Sequence, residues 1–186
     1  MRGKKDDSDE LRRFLREKPW GPFLRDVDRQ LTEEVTLYCI GGFVLKALYD
    51  IPRVTADLDY VEVLPKRTAE KLEKIAGQES ALARRHGVFI HYAGPVEMPI
   101  EYEGRLQGLD LKMKHVRLFV LDPYDLLLSK MLRNSGKDRE DGKFLIKKLG
   151  LHFQTMQDRF RAEMDWASNR AYHETTLELW KDFFVE

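Results

Sequence analysis

The chain has 186 residues, of which 42% are hydrophobic and 34% are charged, so it can fold as one domain, with or without a helical extension, around a real core. Lysine plus arginine balance aspartate plus glutamate at 32 each, which excludes the global positive field of many nucleic-acid-binding proteins. No apolar stretch approaches the roughly 20 residues of a membrane span, and the charged N-terminus lacks the apolar centre of a signal peptide. We therefore expect a cytoplasmic protein with no membrane partner.

The N-terminal part of the chain is predicted to be a helical extension, 1–34. It begins with a charged tail, 1–8, and continues with a helix, 9–17, in which apolar residues recur at helical spacing. The run 19–22, Pro-Trp-Gly-Pro, is predicted to break that helix. A second helical segment covers 23–34.

The middle of the chain, 35–122, is predicted to be an α+β core that alternates between strands and helices. A helix at 43–49 follows the first strand, and Thr68 is a plausible N-cap for a long helix that runs to about Arg85 and is closed by Gly87. Residues 93–113 contain glycine and proline and are predicted to form a hairpin arm. The predicted strands are 35–40, 58–64, 88–92, a weaker one at 109–112, and 115–121.

The single cysteine, Cys39, lies inside the first apolar strand. One thiol can form neither an internal disulfide framework nor a cysteine-based zinc site. Cys39 is therefore predicted to be a small buried hydrophobic residue.

After Asp122-Pro123 the pattern is helical to the end, which predicts a C-terminal helical region, 123–186. The fold class is therefore α+β: a small mixed sheet flanked by helices, followed by helices. The C-terminal aromatic residues are interpreted as helical packing, with a dimer or partner surface as the alternative. The four predicted helices cover 124–133, 138–149, 152–168 and 172–184, and the aromatic residues are Trp166, Tyr172, Trp180, Phe183 and Phe184.

Two acids stand at the start of the second predicted strand. Side chains alternate along a strand, so Asp57 and Asp59 point to the same face, with Cα atoms roughly 6.5–7 Å apart. Carboxylate pairs at this spacing can share one or two hard cations, as in sites of phosphoryl and nucleotidyl transfer.

A glycine pair, Gly41-Gly42, lies where the first strand passes into a helix. Glycine lets the backbone approach a phosphate closely, and a helix N-terminus offers unpaired N–H groups with a favourable dipole. An anion cradle and cation-holding carboxylates are the two halves of a metal–nucleotide site.

The combination of Gly41-Gly42, a short helix and the run Arg53-Val54-Thr55-Ala56-Asp57-Leu58-Asp59 resembles the minimal nucleotidyltransferase core of the DNA polymerase β superfamily. Later runs continue the resemblance, and the whole is similar to the branch of small prokaryotic nucleotidyltransferases that includes AbiEii-type toxins. The later runs are Leu121-Asp122-Pro123-Tyr124-Asp125-Leu126-Leu127-Leu128-Ser129-Lys130 and Lys137-Asp138-Arg139-Glu140-Asp141.

The resemblance implies roles for four residues. Gly41 and Gly42 would bind the triphosphate of a nucleoside triphosphate, and Asp57 and Asp59 would be catalytic ligands of Mg²⁺ or Mn²⁺.

Three more residues have a nucleotide-binding role by the same resemblance. Arg53 and Thr55 would position phosphate oxygens, although loop packing and capping are the alternative. Lys130 would reach the phosphates from its helix, although a lysine snorkelling beside an apolar face is the alternative.

The superfamily adds a third carboxylate on the next core strand, and this chain has no acid there. His91 stands at that place and is a possible third group of the site, since histidine can act as a base. Alternatively His91 is an ordinary structural histidine, and Glu97, Glu101 or Asp110 supplies the acid.

The resemblance therefore implies an Mg²⁺-dependent enzyme that transfers a nucleoside monophosphate from a nucleoside triphosphate to an RNA, a protein or a small molecule, with a possible toxin–antitoxin role. A partner protein or a homodimer is compatible with it. The alternative is a non-catalytic nucleotide-binding or regulatory module that keeps the fold.

Overall fold

The computed structural model describes residues 11, 13–14, 16–17 and 19–184. They form a five-stranded mixed sheet with helices, which confirms the predicted α+β class. The predicted charged tail, 1–8, lies outside the described residues, as does part of the predicted helix 9–17.

Most predicted elements are present, with strand ends shifted by up to three residues and helix ends by up to five. The strands are β1 Val35–Ile40, β2 Asp57–Leu64, β3 Phe89–Tyr92, β4 Gln107–Leu109 and β5 Val116–Val120. The described helices are α1 Trp20–Gln30, α2 Gly41–Tyr49, α3 Ala69–Ala76, α4 Ala81–His86, α5 Pro123–Arg133, α6 Gly136–Leu149, α7 Phe153–Glu163 and α8 Arg170–Trp180. Short 3₁₀ turns cover Lys66–Thr68, Tyr102–Arg105 and Lys181–Phe184.

The chain divides into two units. The sheet unit consists of residues 1–94 and 107–120, and the helical unit of 95–106 and 121–186. In this division α1 belongs to the sheet unit. The division at 34 and 122 expected from the sequence stays a prediction.

The strand order is β3-β2-β1-β5-β4. β1 is antiparallel to β2 and parallel to β5, β2 is parallel to β3, and β4 pairs antiparallel with β5 at the far edge. The C-terminal end of β1 therefore meets the N-terminal ends of β2 and β3 at one end of the sheet.

A β-bulge interrupts the pairing of β1 with β2. Tyr38 pairs with Glu62 and Cys39 with Tyr60, so Val61 is an extra residue in β2. The bulge shifts the alternation by one residue, which leaves Tyr60 before it and Val63 after it both buried.

The run 19–22 separates two helices, as predicted. Residues 11, 13–14 and 16 are helical, whereas Glu17 and Pro19 are not. The run also begins the next helix, because α1 starts at Trp20 rather than at 23. Pro22 lies in its first turn, where a missing N–H costs no helical hydrogen bond. Trp20 is buried against Phe23 and Phe43, with ring centroids 5.8 and 4.8 Å away.

The predicted long helix from Thr68 is two helices, α3 and α4. Thr68 makes no capping bond to the helix, since its hydroxyl donates to the Pro65 carbonyl. Gly77 ends α3, and Ser80 begins α4 by accepting a hydrogen bond from the Ala83 N–H at 3.0 Å. Gly87 closes α4 in the left-handed conformation, as predicted.

Residues 93–113 also differ from their prediction. β4 does form an antiparallel hairpin with β5, but it covers Gln107–Leu109 rather than 109–112. Lys112 has a φ of 52°, which no strand accommodates.

The segment 95–106 is fixed within the helical unit by Arg105. Its guanidinium donates to Asp125 at 2.9 and 3.0 Å and to Glu163 at 2.9 and 2.7 Å. Asp125 is fully buried and also accepts from Arg159 at 2.8 Å. The segment 95–106 therefore packs as part of the helical unit.

The C-terminal aromatic residues behave differently from one another. Trp180 is buried, as predicted, and its indole N–H donates to Asn134 at 3.0 Å. Trp166 and Tyr172 are about half exposed, so the packing interpretation is wrong for these two. Trp166 lies between α7 and α8, outside the helix predicted for it.

No helix within the described part of the chain is long and apolar enough to cross a membrane.

Candidate active site

Asp57 and Asp59 are the first and third residues of β2, and their side chains lie on one face of the sheet. Leu58 and Tyr60, which alternate with them, are buried on the opposite face, while both acids are partly exposed. The Thr55 hydroxyl donates to Asp57 Oδ1 at 2.8 Å and thereby holds that carboxylate. The two acids are therefore positioned for a ligand.

Gly41 lies directly against Asp59. Ile40 pairs with Asp59 across β1 and β2, and the chain then turns into α2 with a φ of +78° at Gly41. A Cβ atom at position 41 would lie 2.7 Å from Asp59 Oδ2. Glycine is required here for both reasons: the left-handed backbone and the space for the carboxylate.

Gly42 faces two other residues of the predicted site. A Cβ atom there would lie 3.0 Å from both Arg53 Nη2 and Thr55 Oγ1. The start of α2 is thus bordered by a carboxylate on one side and by a guanidinium and a hydroxyl on the other. Ile40, which precedes the helix, has no side chain that could cap it.

His91 completes this group from β3. It pairs with Asp59 in the register of β2 and β3, and its Nδ1 lies 3.1 Å from Asp59 Oδ1. The His91 side chain is 55% exposed against 22% for Asp59, so its ring is open to solvent and is not a core histidine.

Cys39 is fully buried, as predicted. Burial raises the pKa of its thiol far above the usual value, and the negative charge of Asp59 adds to the effect. Cys39 is therefore a packing residue beside the site and no nucleophile.

The side chains of this group offer few ligands to a metal ion. Among residues 11, 13–14, 16–17 and 19–184, no group of three or more His, Cys, Asp or Glu side chains could hold one. Two oxygen-donating carboxylates on one face do suit Mg²⁺ or Mn²⁺, which take few protein ligands and complete their shell with water and phosphate oxygens. Asp57 and Asp59 are the residues that would hold it.

Two of the acids that could substitute for a third carboxylate, Asp110 and Glu97, have other partners. Asp110 pairs with Lys112 at 2.7 Å, next to the edge strand β4 and three strand positions away from β2. Glu97 belongs to the helical unit, where it accepts a hydrogen bond from the Ser168 backbone N–H at 2.8 Å. Glu101 belongs to the same unit.

Lys130 differs in its surroundings from what the sequence indicates. It belongs to the helical unit and is only 2% exposed, so it is no snorkelling lysine. Its Nζ donates to Asp141 at 2.7 Å and lies 3.7 Å from Asp138. Burial lowers the pKa of Lys130, and the two carboxylates oppose that effect. Its contact with nucleotide phosphates stays a prediction.

Asp138 shows why this buried cluster keeps its charges. Burial would raise the pKa of Asp138, but hydrogen bonds from Arg133 and Ser135 lower it to about 2. The carboxylate therefore stays ionised beside the Lys130 ammonium.

The structure thus brings together seven of the eight predicted site residues in the sheet unit. The contact of His91 with Asp59 could be foreseen only from the pairing of β2 with β3. The seven residues are Gly41, Gly42, Arg53, Thr55, Asp57, Asp59 and His91.

Over residues 24–183 the chain matches the family described as nucleotidyltransferase of unknown function (DUF6036), and it belongs to that family. No curated protein and no solved structure matches it.

Gly41→Ala and Gly94→Ala form a matched pair of variants. Both glycines have a φ of +78°, but a Cβ at Gly94 meets nothing within 4 Å. We expect both variants to fold with a similar cost from the left-handed backbone, about 1–2 kcal/mol. Only Gly41→Ala should turn the Asp59 carboxylate away and weaken Mn²⁺ binding about tenfold in calorimetry, which corresponds to about 1.4 kcal/mol. Equal Mn²⁺ affinities in the two variants would contradict this role of Gly41.

Proposed function

We propose that this protein is a nucleotidyltransferase that depends on Mg²⁺ or Mn²⁺. It transfers a nucleoside monophosphate from a nucleoside triphosphate to an acceptor hydroxyl and releases pyrophosphate. The observation that carries the proposal is the contact of Gly41 with Asp59, which joins the anion cradle to the cation-binding carboxylates in one site.

The triphosphate binds at the start of α2 in this proposal. The backbone N–H groups of the first turn and the helix dipole favour an anion there, and the glycines let it approach the backbone. The Arg53 guanidinium, which borders Gly42, adds positive charge and a forked donor that matches phosphate oxygens. Thr55 keeps the Asp57 carboxylate in place through its hydroxyl.

Asp57 and Asp59 hold the metal ion, which when bound neutralises phosphate charge and orients the reacting groups. Asp59 Oδ2 faces Gly41 and its Oδ1 faces His91, so one carboxylate connects the phosphate cradle with the histidine.

His91 takes the proton of the acceptor hydroxyl in this proposal. When its Nδ1–H donates to Asp59, the other ring nitrogen carries the lone pair and is free to accept a proton. Its exposure leaves room for the acceptor. The histidine would thus take the place of the third carboxylate of similar enzymes.

The acceptor class is an RNA end, a protein side chain or a small molecule. The likeness of the sequence motifs to AbiEii-type toxins supports a toxin–antitoxin role, in which a partner protein would control the activity. A homodimer is compatible with the half-exposed Trp166 and Tyr172.

One observation favours a second function. No third metal-binding side chain joins Asp57 and Asp59 among the described residues. A non-catalytic module that binds a nucleotide and regulates a partner would need neither a third metal ligand nor a proton acceptor. It would bind the metal–nucleotide complex without transferring any group.

Transfer should depend on the two carboxylates. With each labelled nucleoside triphosphate, Mg²⁺ or Mn²⁺, and total RNA plus protein, we expect the wild type to transfer label. The Asp57→Asn/Asp59→Asn variant should lose at least about a hundredfold in rate, since metal contributions amount to several kcal/mol. Glu62→Gln makes the same chemical change farther along β2, at a residue paired with Lys66, and should retain activity. Metal–nucleotide binding without transfer by the wild type would instead support the regulatory module.

Removing the imidazole should slow transfer without weakening nucleotide binding. We expect His91→Gln to lower the transfer rate about 10²–10⁴-fold, the usual contribution of a general base, with little change in nucleotide affinity. His91→Asp, which places a carboxylate on β3, should recover part of the rate. The exposed His152 provides the control His152→Gln. A wild-type rate in His91→Gln would rule out this role.

A further inference from the structure

A second cluster of charged side chains lies in the sheet unit, between α1 and the end of α4. It lines a cavity of about 440 Å³, named here the α1–α4 pocket. The two helices are far apart in the chain, since the contacting residues Asp26 and His86 are separated by 60 positions. The lining residues are Pro19, Pro22, Arg25, Asp26, Arg29, Arg85 and His86.

Asp26 organises the cations of the pocket. Its Oδ1 accepts from Arg29 at 2.7 Å, while its Oδ2 lies 2.9 Å from His86 Nε2 and 3.4 Å from Arg85. The hydrogen bond to His86 lowers the pKa of Asp26, and the neighbouring arginines act in the same direction. Asp26 is therefore a fixed anion that holds cations from both helices.

Positive charge remains in excess in this pocket. Arg29, Arg85 and His86 all contact the single carboxylate of Asp26 there. Each guanidinium has five N–H donors, and the carboxylate receives only one close contact from Arg29 and one from Arg85. The side chains of Arg29 and Arg85 are 73% and 71% exposed, so their heads can reach a ligand from solvent.

We propose that the α1–α4 pocket binds a phosphate group. Forked arginine donors match phosphate oxygens in geometry, and a concave surface with positive charge favours a dianion over water. In an ordinary surface ion-pair network, cationic and anionic side chains are equal in number. Here Arg29 of α1 and Arg85 of α4 share the single carboxylate of Asp26. The proposal does not depend on the transferase activity of the candidate active site.

A second cavity, also of about 440 Å³, adjoins both regions within the sheet unit. Pro19 lines both this cavity and the α1–α4 pocket. Arg53 and Thr55 of the candidate active site also line this second cavity. A phosphate in the α1–α4 pocket can therefore belong to a chain that continues toward that site, as in RNA, or it can be a free phosphate.

The test compares Arg29→Gln/Arg85→Gln with the control Arg67→Gln/Lys74→Gln. The control removes the same charge at two exposed residues of the sheet unit that are paired with Glu33 and Glu70. Without divalent cations, binding of a short fluorescent oligouridylate is measured by anisotropy at several salt concentrations. Inorganic phosphate is titrated separately and followed by the NMR signal of the His86 ring.

We expect the pocket variant, and not the control, to lose affinity about tenfold. Loss in the RNA arm, with a salt slope lower by roughly 0.7 per lost contact, identifies a phosphodiester ligand. Loss confined to the His86 titration identifies free phosphate. Arg29→Lys/Arg85→Lys keeps the positive charges but removes the forked guanidinium donors, so it should lose less affinity than the glutamine variant. It also serves as a second variant in case the glutamine variant does not fold. Equal behaviour of pocket and control variants in both arms, or no binding by the wild type, overturns the proposal.

Discussion

The close approach of Gly41 to the Asp59 carboxylate is the constraint on which the candidate site depends. A side chain at position 41 would take the space of Asp59 Oδ2, 2.7 Å from where its Cβ would lie. The contact follows from the pairing of Ile40 with Asp59, because the next residue after Ile40 must turn into α2 beside the acid. The strand register therefore brings into one place the start of α2, which we propose binds the triphosphate, and the Asp59 carboxylate, which we propose binds the metal ion.

The sheet topology adds the remaining groups. β2 lies between β1 and β3, so Asp59 has Ile40 on one side and His91 on the other. The bulge at Val61 lets the later part of β2 bury Val63 although Asp59 and its neighbours keep their acidic face partly open. In a regular strand without the bulge, Val63 would lie on the same face as Asp57 and Asp59, and an apolar side chain would be exposed.

The local part of this arrangement could be predicted from the sequence, because glycine pair, short helix and alternating acids are adjacent in the chain. Long-range contacts could not. The helical pattern continues from Thr68 to Arg85, and the break before Ser80 carries only a weak local signal. Lys130 reads as a surface lysine on a helix, but its burial depends on Asp141 in the next helix. The family match supports the class of protein that the local motifs predict.

In the proposed function, Asp57, Asp59 and His91 surround one metal–nucleotide site. This arrangement is tested most directly by adding Mn²⁺ and a non-hydrolysable nucleoside triphosphate and recording the NMR signals of the histidine rings. The His91 signal should broaden beyond detection, because its ring contacts Asp59. His115, at the opposite end of the sheet and about 16 Å of strand away, should broaden far less. A sharp His91 signal under saturating Mn²⁺, or equal broadening of both histidines, would contradict the account.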